Sequence, residues 1–285
     1  MKLSLILATV GRSSEVGRLI GTLAAQTDRR FELIVVDQND DDRLVPHVEA
    51  GRTAGLDLQH LKLERPSLSG ARNLGIRHAS GDVIGFPDDD CWYEAGTVAA
   101  LLDTFAAEPD VEGCIACWME QSEGRGSTPL QADLSLADWR NFRGGDASSI
   151  SLFFKRGLFD RLGGFDERFG VGQWYGAGEE TDFVLRALAS GERLAFRPNV
   201  RVHHLYTASP TGRVFALFSA ARRRARGTGA IYAKHRLAAW VIFRGLCAPV
   251  LLPLLHMRGW AALTLGAGAV LGRIEGFLNW RRTQT

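Results

Sequence analysis

The first thirty-seven residues constrain the fold more than any other part of the chain. Leu3-Ser4-Leu5-Ile6-Leu7-Ala8 is an apolar run ending at Thr9-Val10-Gly11-Arg12, and Phe31-Glu32-Leu33-Ile34-Val35-Val36 is a second that stops at Asp37. Between them Val16, Leu19, Ile20 and Leu23 recur at helical spacing behind Ser13 and Ser14, either of which can cap the helix. Strands nearly continuous in apolar residues are buried on both faces, as in parallel sheets. Strand–helix–strand order then requires a right-handed crossover, and ligands of such sheets gather at the carboxyl ends of the strands. Thr9 and Asp37 stand at those ends. Asp37 suits hydrogen bonding to a nucleoside's ribose or base, and equally suits capping the turn that follows.

A third apolar run, Val83-Ile84-Gly85-Phe86, empties into Asp88-Asp89-Asp90, with Trp92 and Tyr93 just beyond. In extended backbone Asp88 and Asp90 project to one side and Asp89 to the other. Two carboxylates ~4 Å apart repel by roughly 1 kcal/mol even in water. The pattern therefore calls for a hard divalent cation, Mg²⁺ or Mn²⁺, with the phosphates of a substrate completing its shell; the simpler alternative is a solvated acidic turn. Upstream, Ser69 reads as the cap of a helix from Gly70 to His78. Arg72 and Asn73 fall in its first turn, where a cation opposes the helix dipole. Contact with an anion or base is one explanation for Arg72, and simple exposure the other. Asp40-Asp41-Asp42, delivered by no clear strand, reads as a solvated turn.

Further along, Val98, Leu101, Leu102 and Phe105 mark a helix, and Val111 to Trp118 a strand. Residues 120–147 are polar and Gly-rich, as loops around a substrate are; strand character returns over Asp146–Arg156. Gly172 to Gly178 then form a Gly-rich loop carrying Trp174 and Tyr175, a pair suited to stacking on a sugar, and Glu179-Glu180 open a helix. Acids in a first turn complement the helix dipole, so one of the two needs no further explanation, and a catalytic carboxylate is the alternative. A strand over Arg197–His204 ends in His203-His204, of which alternation lets only one face a metal.

Charge is distributed unevenly. The chain carries net +2, but residues 213–285 hold twelve Lys and Arg against one acid, Glu275, which leaves the first 212 residues at −9. An acidic body with a basic, apolar tail points to an anionic membrane surface and away from nucleic acid. The longest runs in the tail free of Lys, Arg, Asp, Glu and His, Gly245–Leu255 and Gly259–Gly272, are 11 and 14 residues, short of the ~20 a membrane span needs. Helices lying in the interface are expected, against a hairpin that only completes the fold or a re-entrant or spanning one. The opening residues lack the pattern of a signal peptide, and Cys91, Cys114, Cys117 and Cys247 have no disulfide spacing. The expected location is thus the cytoplasm, peripherally on the cytoplasmic face of the membrane. The expected division is 1–212 as an α/β catalytic domain and 213–285 as a helical appendage.

From Leu3 to His204 the chain resembles the family-2 inverting glycosyltransferases of the GT-A fold. The resemblance rests on the order and spacing of four pieces: Thr9-Val10-Gly11-Arg12, the Val36-Asp37 strand end, Gly70-Ala71-Arg72-Asn73-Leu74-Gly75 leading to Phe86-Pro87-Asp88-Asp89-Asp90, and Gly178-Glu179-Glu180-Thr181-Asp182. It implies a mostly parallel sheet flanked by helices, with Asp88 and Asp90 holding Mg²⁺ or Mn²⁺ on a nucleotide-diphosphate sugar. It implies donor contacts from Thr9, Arg12, Asp37, Arg72, Asn73 and Asp89. The family's Glu-Asp pair maps onto Glu179-Glu180, which makes Glu180 the implied base with Glu179 the alternative, and Val202-His203 makes His203 the implied metal ligand. Trp174 and Tyr175 would meet a glycan or lipid-linked acceptor, in surface polysaccharide or glycolipid synthesis. A catalytically inactive nucleotide-sugar-binding partner at the membrane and a sugar-1-phosphate nucleotidyltransferase are the competing readings. The second should carry a Gly-rich phosphate loop after its first strand, and Thr9-Val10-Gly11-Arg12 is not one.

Overall fold

The structure, a computed structural model, describes residues 1–120, 133–142, 148–205, 214–257 and 259–283. Strand β1 (Leu3–Thr9), helix α1 (Ser14–Ala24), β2 (Phe31–Asp37), α2 (Val45–Thr53), β3 (Leu58–Lys62), α3 (Leu68–His78) and β4 (Val83–Gly85) build the first half. All pairings within this half are parallel, in spatial order β3-β2-β1-β4, and Thr9 lies in register with Asp37 and Asp37 with Lys62. Burial explains the pairing. Every residue of β2 is buried, and the α1 residues Val16, Leu19, Ile20 and Leu23 pack against one face of the sheet. Ser13 sits at the cap position of α1, but its hydroxyl meets His47 Nε2 at 3.0 Å instead of a helix N–H.

The second half adds β5 (Cys91–Tyr93), α4 (Thr97–Ala107), β6 (Val111–Glu120), α5 (Leu136–Arg140), β7 (Leu152–Lys155), α6 (Arg156–Leu162), α7 (Glu179–Ala189) and β8 (Arg193–His204). They complete an eight-stranded sheet in the order β3-β2-β1-β4-β7-β6-β8-β5. β7 runs antiparallel to β4 and β6, β5 antiparallel to β8, and β6 parallel to β8. The sheet is therefore parallel where the sequence reads as strand–helix–strand and mixed beyond it. A cluster centred on Phe86, Phe154, Phe159, Phe165 and Phe183 fills one face under α6 and α7.

Three helices follow: α8 (Val214–Lys234), α9 (Ala239–Leu255) and α10 (Gly259–Arg282). The expected boundary between body and appendage, at 212/213, falls outside the described residues. Helices α8 and α10 lie in close contact, since a Cβ on Gly229 would stand 2.0 Å from the Arg273 carbonyl oxygen, and one on Gly276 1.9 Å from that of Arg226. Only glycine permits that approach. By length and composition α10, at 24 residues, could cross a membrane. It runs on past the charge-free stretch read from the sequence through Arg273, Glu275, Arg281 and Arg282, and its acid, Glu275, is neutralised within the fold by Arg222 and Arg226 of α8, each Nε to carboxylate at 2.9 Å.

Candidate active site

The strand ends on the parallel side converge as expected. Asp37, fully buried, accepts from the Asn39 backbone N–H at 2.9 Å and side-chain amide at 2.7 Å, with Lys62 Nζ at 3.0 Å and His60 Nε2 at 2.9 Å. Burial by itself would raise its pKa; the Asn39 N–H, Lys62 and His60 outweigh that and hold the carboxyl below the ordinary 3.8. Next to it a cleft of about 680 Å³ is lined by Gly11, Gln38, Asn39, Arg43, Lys62 and Glu64, among others. Asn39, His60 and Lys62 escaped the sequence reading. Only the parallel register of β2 with β3 sets Lys62 beside Asp37.

The Asp88-Asp89-Asp90 stretch departs from the extended conformation expected of it. The Cys91 N–H donates to the Asp88 carbonyl at 3.2 Å, closing a turn. The turn aims the three carboxylates at different partners: Asp88 at Arg72 Nη2 (3.4 Å), Asp89 at Thr9 Oγ1 (2.8 Å) and Arg12 Nε (3.7 Å), and Asp90 at His204 Nε2 (3.0 Å). Enclosure by protein raises the pKa of Asp88 and Asp89, with Asp90 adding to both, whereas the His204 hydrogen bond lowers that of Asp90. Carboxylates crowded in this way favour a cation.

The histidine beside this cluster is not the one the resemblance implied. His203 is opposite Trp92, stacks on its ring at 5.2 Å and holds Glu94 Oε1 at 2.8 Å; His204 is opposite Cys91 and reaches Asp90. Strand alternation puts the two on opposite faces. Donor atoms of Asp90, Cys91 and His204 lie within 4.8 Å of one another. Burial pushes the Cys91 thiol well up, so it stays protonated and a poor ligand, while carboxylate and imidazole suit a divalent ion.

Helix α3 starts earlier than expected. Ser67, not Ser69, is the cap, accepting from the Gly70 N–H at 3.1 Å, which moves Arg72 past the first turn. Arg72 is 1% exposed, flanked by the Phe86 and Phe165 rings, and donates to Glu179 Oε1 at 3.1 Å as well as facing Asp88. Asn73 does not reach this cluster. Its amide is held at both ends by the following turn, Nδ2 donating to the Phe165 carbonyl and Oδ1 accepting the Phe165 N–H.

Gly178, at φ +105°, turns the chain into α7 in a conformation other residues resist. Glu179 then points into the protein at Arg72, and Glu180 lines a cavity of about 550 Å³ with Arg72, Asp88 and Glu179. One oxygen of Glu180, Oε2, is buried without a hydrogen-bond partner. Burial, followed by the charge of Glu179, raises its pKa to about 7. Asp182, fully buried, faces elsewhere and ties α7 to α8 through Lys234 and His235, both at 2.8 Å. Of the two aromatics expected at a sugar, Trp174 is exposed, with Arg226 over its ring at 4.5 Å. Tyr175 is core: it packs between Phe169 and Trp280 and donates its hydroxyl to Asn279 at 2.7 Å. The α10 residues it touches lie a hundred positions away, beyond any local pattern.

A sheet with its acidic clusters at the carboxyl ends of parallel strands, joined to a second half that brings a helix-borne carboxylate to them, is the arrangement of a GT-A glycosyltransferase. The chain belongs to glycosyltransferase family 2: the family described as Glycosyl transferase family 2 matches residues 4–161. It is 27% identical to the glucosyl-dolichyl phosphate glucuronosyltransferase of Haloferax volcanii over 72% of this chain and 69% of that one. It is 26% identical to the O-antigen biosynthesis protein RfbC of Myxococcus xanthus, over 73% of this chain but 18% of that protein. Among solved structures, S. aureus TarS (residues 1–349) in complex with UDP-GlcNAc superposes with a TM-score of 0.63 at 16% identity, covering 99% of this chain and 92% of that one. The mannosyltransferase PcManGT of Pyrobaculum calidifontis, in complex with GDP-Man and Mn²⁺, does so with a TM-score of 0.65 at 16% identity, covering 100% and 88%.

Proposed function

We propose that this chain is an inverting, metal-assisted glycosyltransferase that moves a hexosyl group from a nucleotide-diphosphate sugar to an acceptor hydroxyl, with Glu180 as the base. The observation that carries this reading is the contrast between two adjacent carboxylates. Glu179 is neutralised by Arg72, while Glu180 has an unpartnered oxygen in the same cavity as Asp88 and a pKa of about 7. Neighbouring acids whose environments differ in this way take different roles. The acceptor O–H gives its proton to Glu180 as its oxygen bonds the anomeric carbon. The bond from that carbon to the diphosphate oxygen breaks, and the electron pair leaves with the nucleoside diphosphate. One displacement inverts the configuration.

Asp37, with Asn39 and Lys62, would hold the nucleoside in the cleft beside it, and Thr9, Arg12 and Asp89 the segment between nucleoside and sugar. Asp88, Asp90 and His204 would hold Mg²⁺ or Mn²⁺, whose charge offsets the charge growing on the leaving diphosphate. The nucleotide sugars bound by TarS and PcManGT, and the Mn²⁺ of the latter, support a nucleotide-sugar donor and a divalent metal. The O-antigen and dolichyl phosphate relatives support surface polysaccharide or glycolipid synthesis as the setting. Trp240, Leu255, Met257 and Trp260, all more than 60% exposed on α9, α10 and the turn between them, support peripheral docking on a membrane. Calorimetric titration with UDP, GDP, dTDP and CDP, each with and without Mn²⁺, tests the donor site. One nucleotide should bind tightly with the metal and more weakly without it; a folded chain that binds none would overturn the reading.

A further inference from the structure

Glu180 borders a second cavity, also of about 550 Å³, on the side of the C-terminal helices. Its walls are apolar and small, with Ala225 of α8, Pro249 of α9 and Ala262, Leu265 and Ala269 of α10. Two arginines interrupt them. Pro249 has no N–H to offer the Gly245 carbonyl one turn earlier, and Arg273 donates to that carbonyl instead. The bond anchors the guanidinium at the cavity while its Nε stays buried without a partner. Arg224, exposed on α8, makes no ion pair among the described residues, and the tail's acid, Glu275, is already taken by Arg222 and Arg226. The site thus joins a carboxylate, two uncompensated cations and apolar walls. The neighbouring turns of α9 and α10 carry exposed Leu252 and Trp260.

We propose that this cavity receives the acceptor and that the acceptor is a sugar carried on a lipid diphosphate. This rests on Glu180 being the base. The sugar hydroxyl meets Glu180, the phosphates meet Arg224 and Arg273, and the apolar chain follows Pro249, Ala262 and Leu265 towards Leu252 and Trp260. A free oligosaccharide would leave both the arginines and the apolar walls unused, and a soluble phosphate would leave the walls unused.

The test is calorimetric titration of the full chain with farnesyl diphosphate, inorganic diphosphate and farnesol, alongside UDP, GDP, dTDP and CDP with Mn²⁺. Farnesyl diphosphate should bind at least about tenfold more tightly than either of its parts. Arg224→Gln and Ala269→Phe should each weaken it by about tenfold or more, with Ala269→Phe leaving nucleotide binding as it was. Arg273→Gln would also release the Gly245 carbonyl and loosen α9, so Arg224→Gln carries the charge test. Inorganic diphosphate binding as tightly as farnesyl diphosphate, or both variants binding it like the parent, overturns the proposal. Failure of the parent chain to bind any of the four nucleotides would count against the transferase reading instead.

Discussion

Arg72 and Glu179 form an ion pair, Nη1 to Oε1 at 3.1 Å, with both residues at most 4% exposed. The pair consumes one of two successive carboxylates and leaves Glu180 to the cavity. Glu179→Ala should therefore act on stability, since it leaves the buried Arg72 guanidinium only its longer 3.4 Å contact with Asp88, at a cost of up to about 3–5 kcal/mol. Glu180→Gln should keep the fold and slow transfer by about 10²–10⁴-fold. Denaturant unfolding and single-turnover transfer on the two variants separate these effects; equal transfer by Glu180→Gln and the parent would remove the base assignment.

The raised pKa of Glu180 makes two predictions about pH. A base must be unprotonated, so transfer should rise as pH increases through about 7. The folded chain also holds this proton more tightly than an unfolded chain, in which the ordinary value of 4.5 applies. The contribution of Glu180 to stability is then most favourable below 4.5, declines between 4.5 and about 7, and is adverse above that. Glu180→Gln should consequently be more stable than the parent near pH ~8, by on the order of 2 kcal/mol, with no gain near pH ~4. Thermal melts of both proteins across that range would show it.

His204→Gln should weaken the Mn²⁺-dependent part of nucleotide binding by about tenfold or more, because His204 and Asp90 share one side of the turn. His203→Gln should leave that part unchanged and lose only the contact with Glu94. Titrations in Mn²⁺ and in chelator distinguish the two, and the opposite result would restore His203 as the ligand.

Asp37→Ala should lower nucleotide affinity by about tenfold, in Mn²⁺ and in chelator alike, since Asp37 organises Asn39 and Lys62 at a cleft whose lining includes none of Asp88, Asp90 and His204. A loss confined to Mn²⁺ would place Asp37 in the metal site.

Trp260→Ser combined with Leu255→Ser should reduce binding to phosphatidylglycerol vesicles by about tenfold or more. Both side chains are at least 75% exposed, so neither supports the fold. Cosedimentation would report the change, and unaltered binding would move membrane contact off the α9–α10 end.

What was legible in the sequence follows how local the cause is. Val16, Leu19, Ile20 and Leu23 of α1 reach the core as their spacing predicts, and the apolar β2 is buried throughout. The Glu179-Glu180 pair was visible too, and the resemblance implied Glu180 as the base, but the partner that takes up Glu179 was not visible, because Arg72 is 107 positions away. The expected Ser69 cap failed for a local reason: Ser67, two residues earlier, already offers its hydroxyl to Gly70, and Ser69 turns its own to the Phe169 carbonyl. Treating Asp88 to Asp90 as extended failed because a turn closes there.

The sequence by itself determined β1, α1, β2, most of α3 and β4, with the acids that end those strands, because apolar periodicity and turn chemistry act over a few residues; α2 and β3, whose patterns are weaker, emerged only in the structure. Tertiary structure decided which side chains meet. It directed Tyr175 and Asn73 into packing, chose His204 over His203 by strand pairing, and set the arginines of α8 and α10 beside Glu180. Those outcomes depend on contacts between segments far apart in the chain, whose geometry no local pattern encodes.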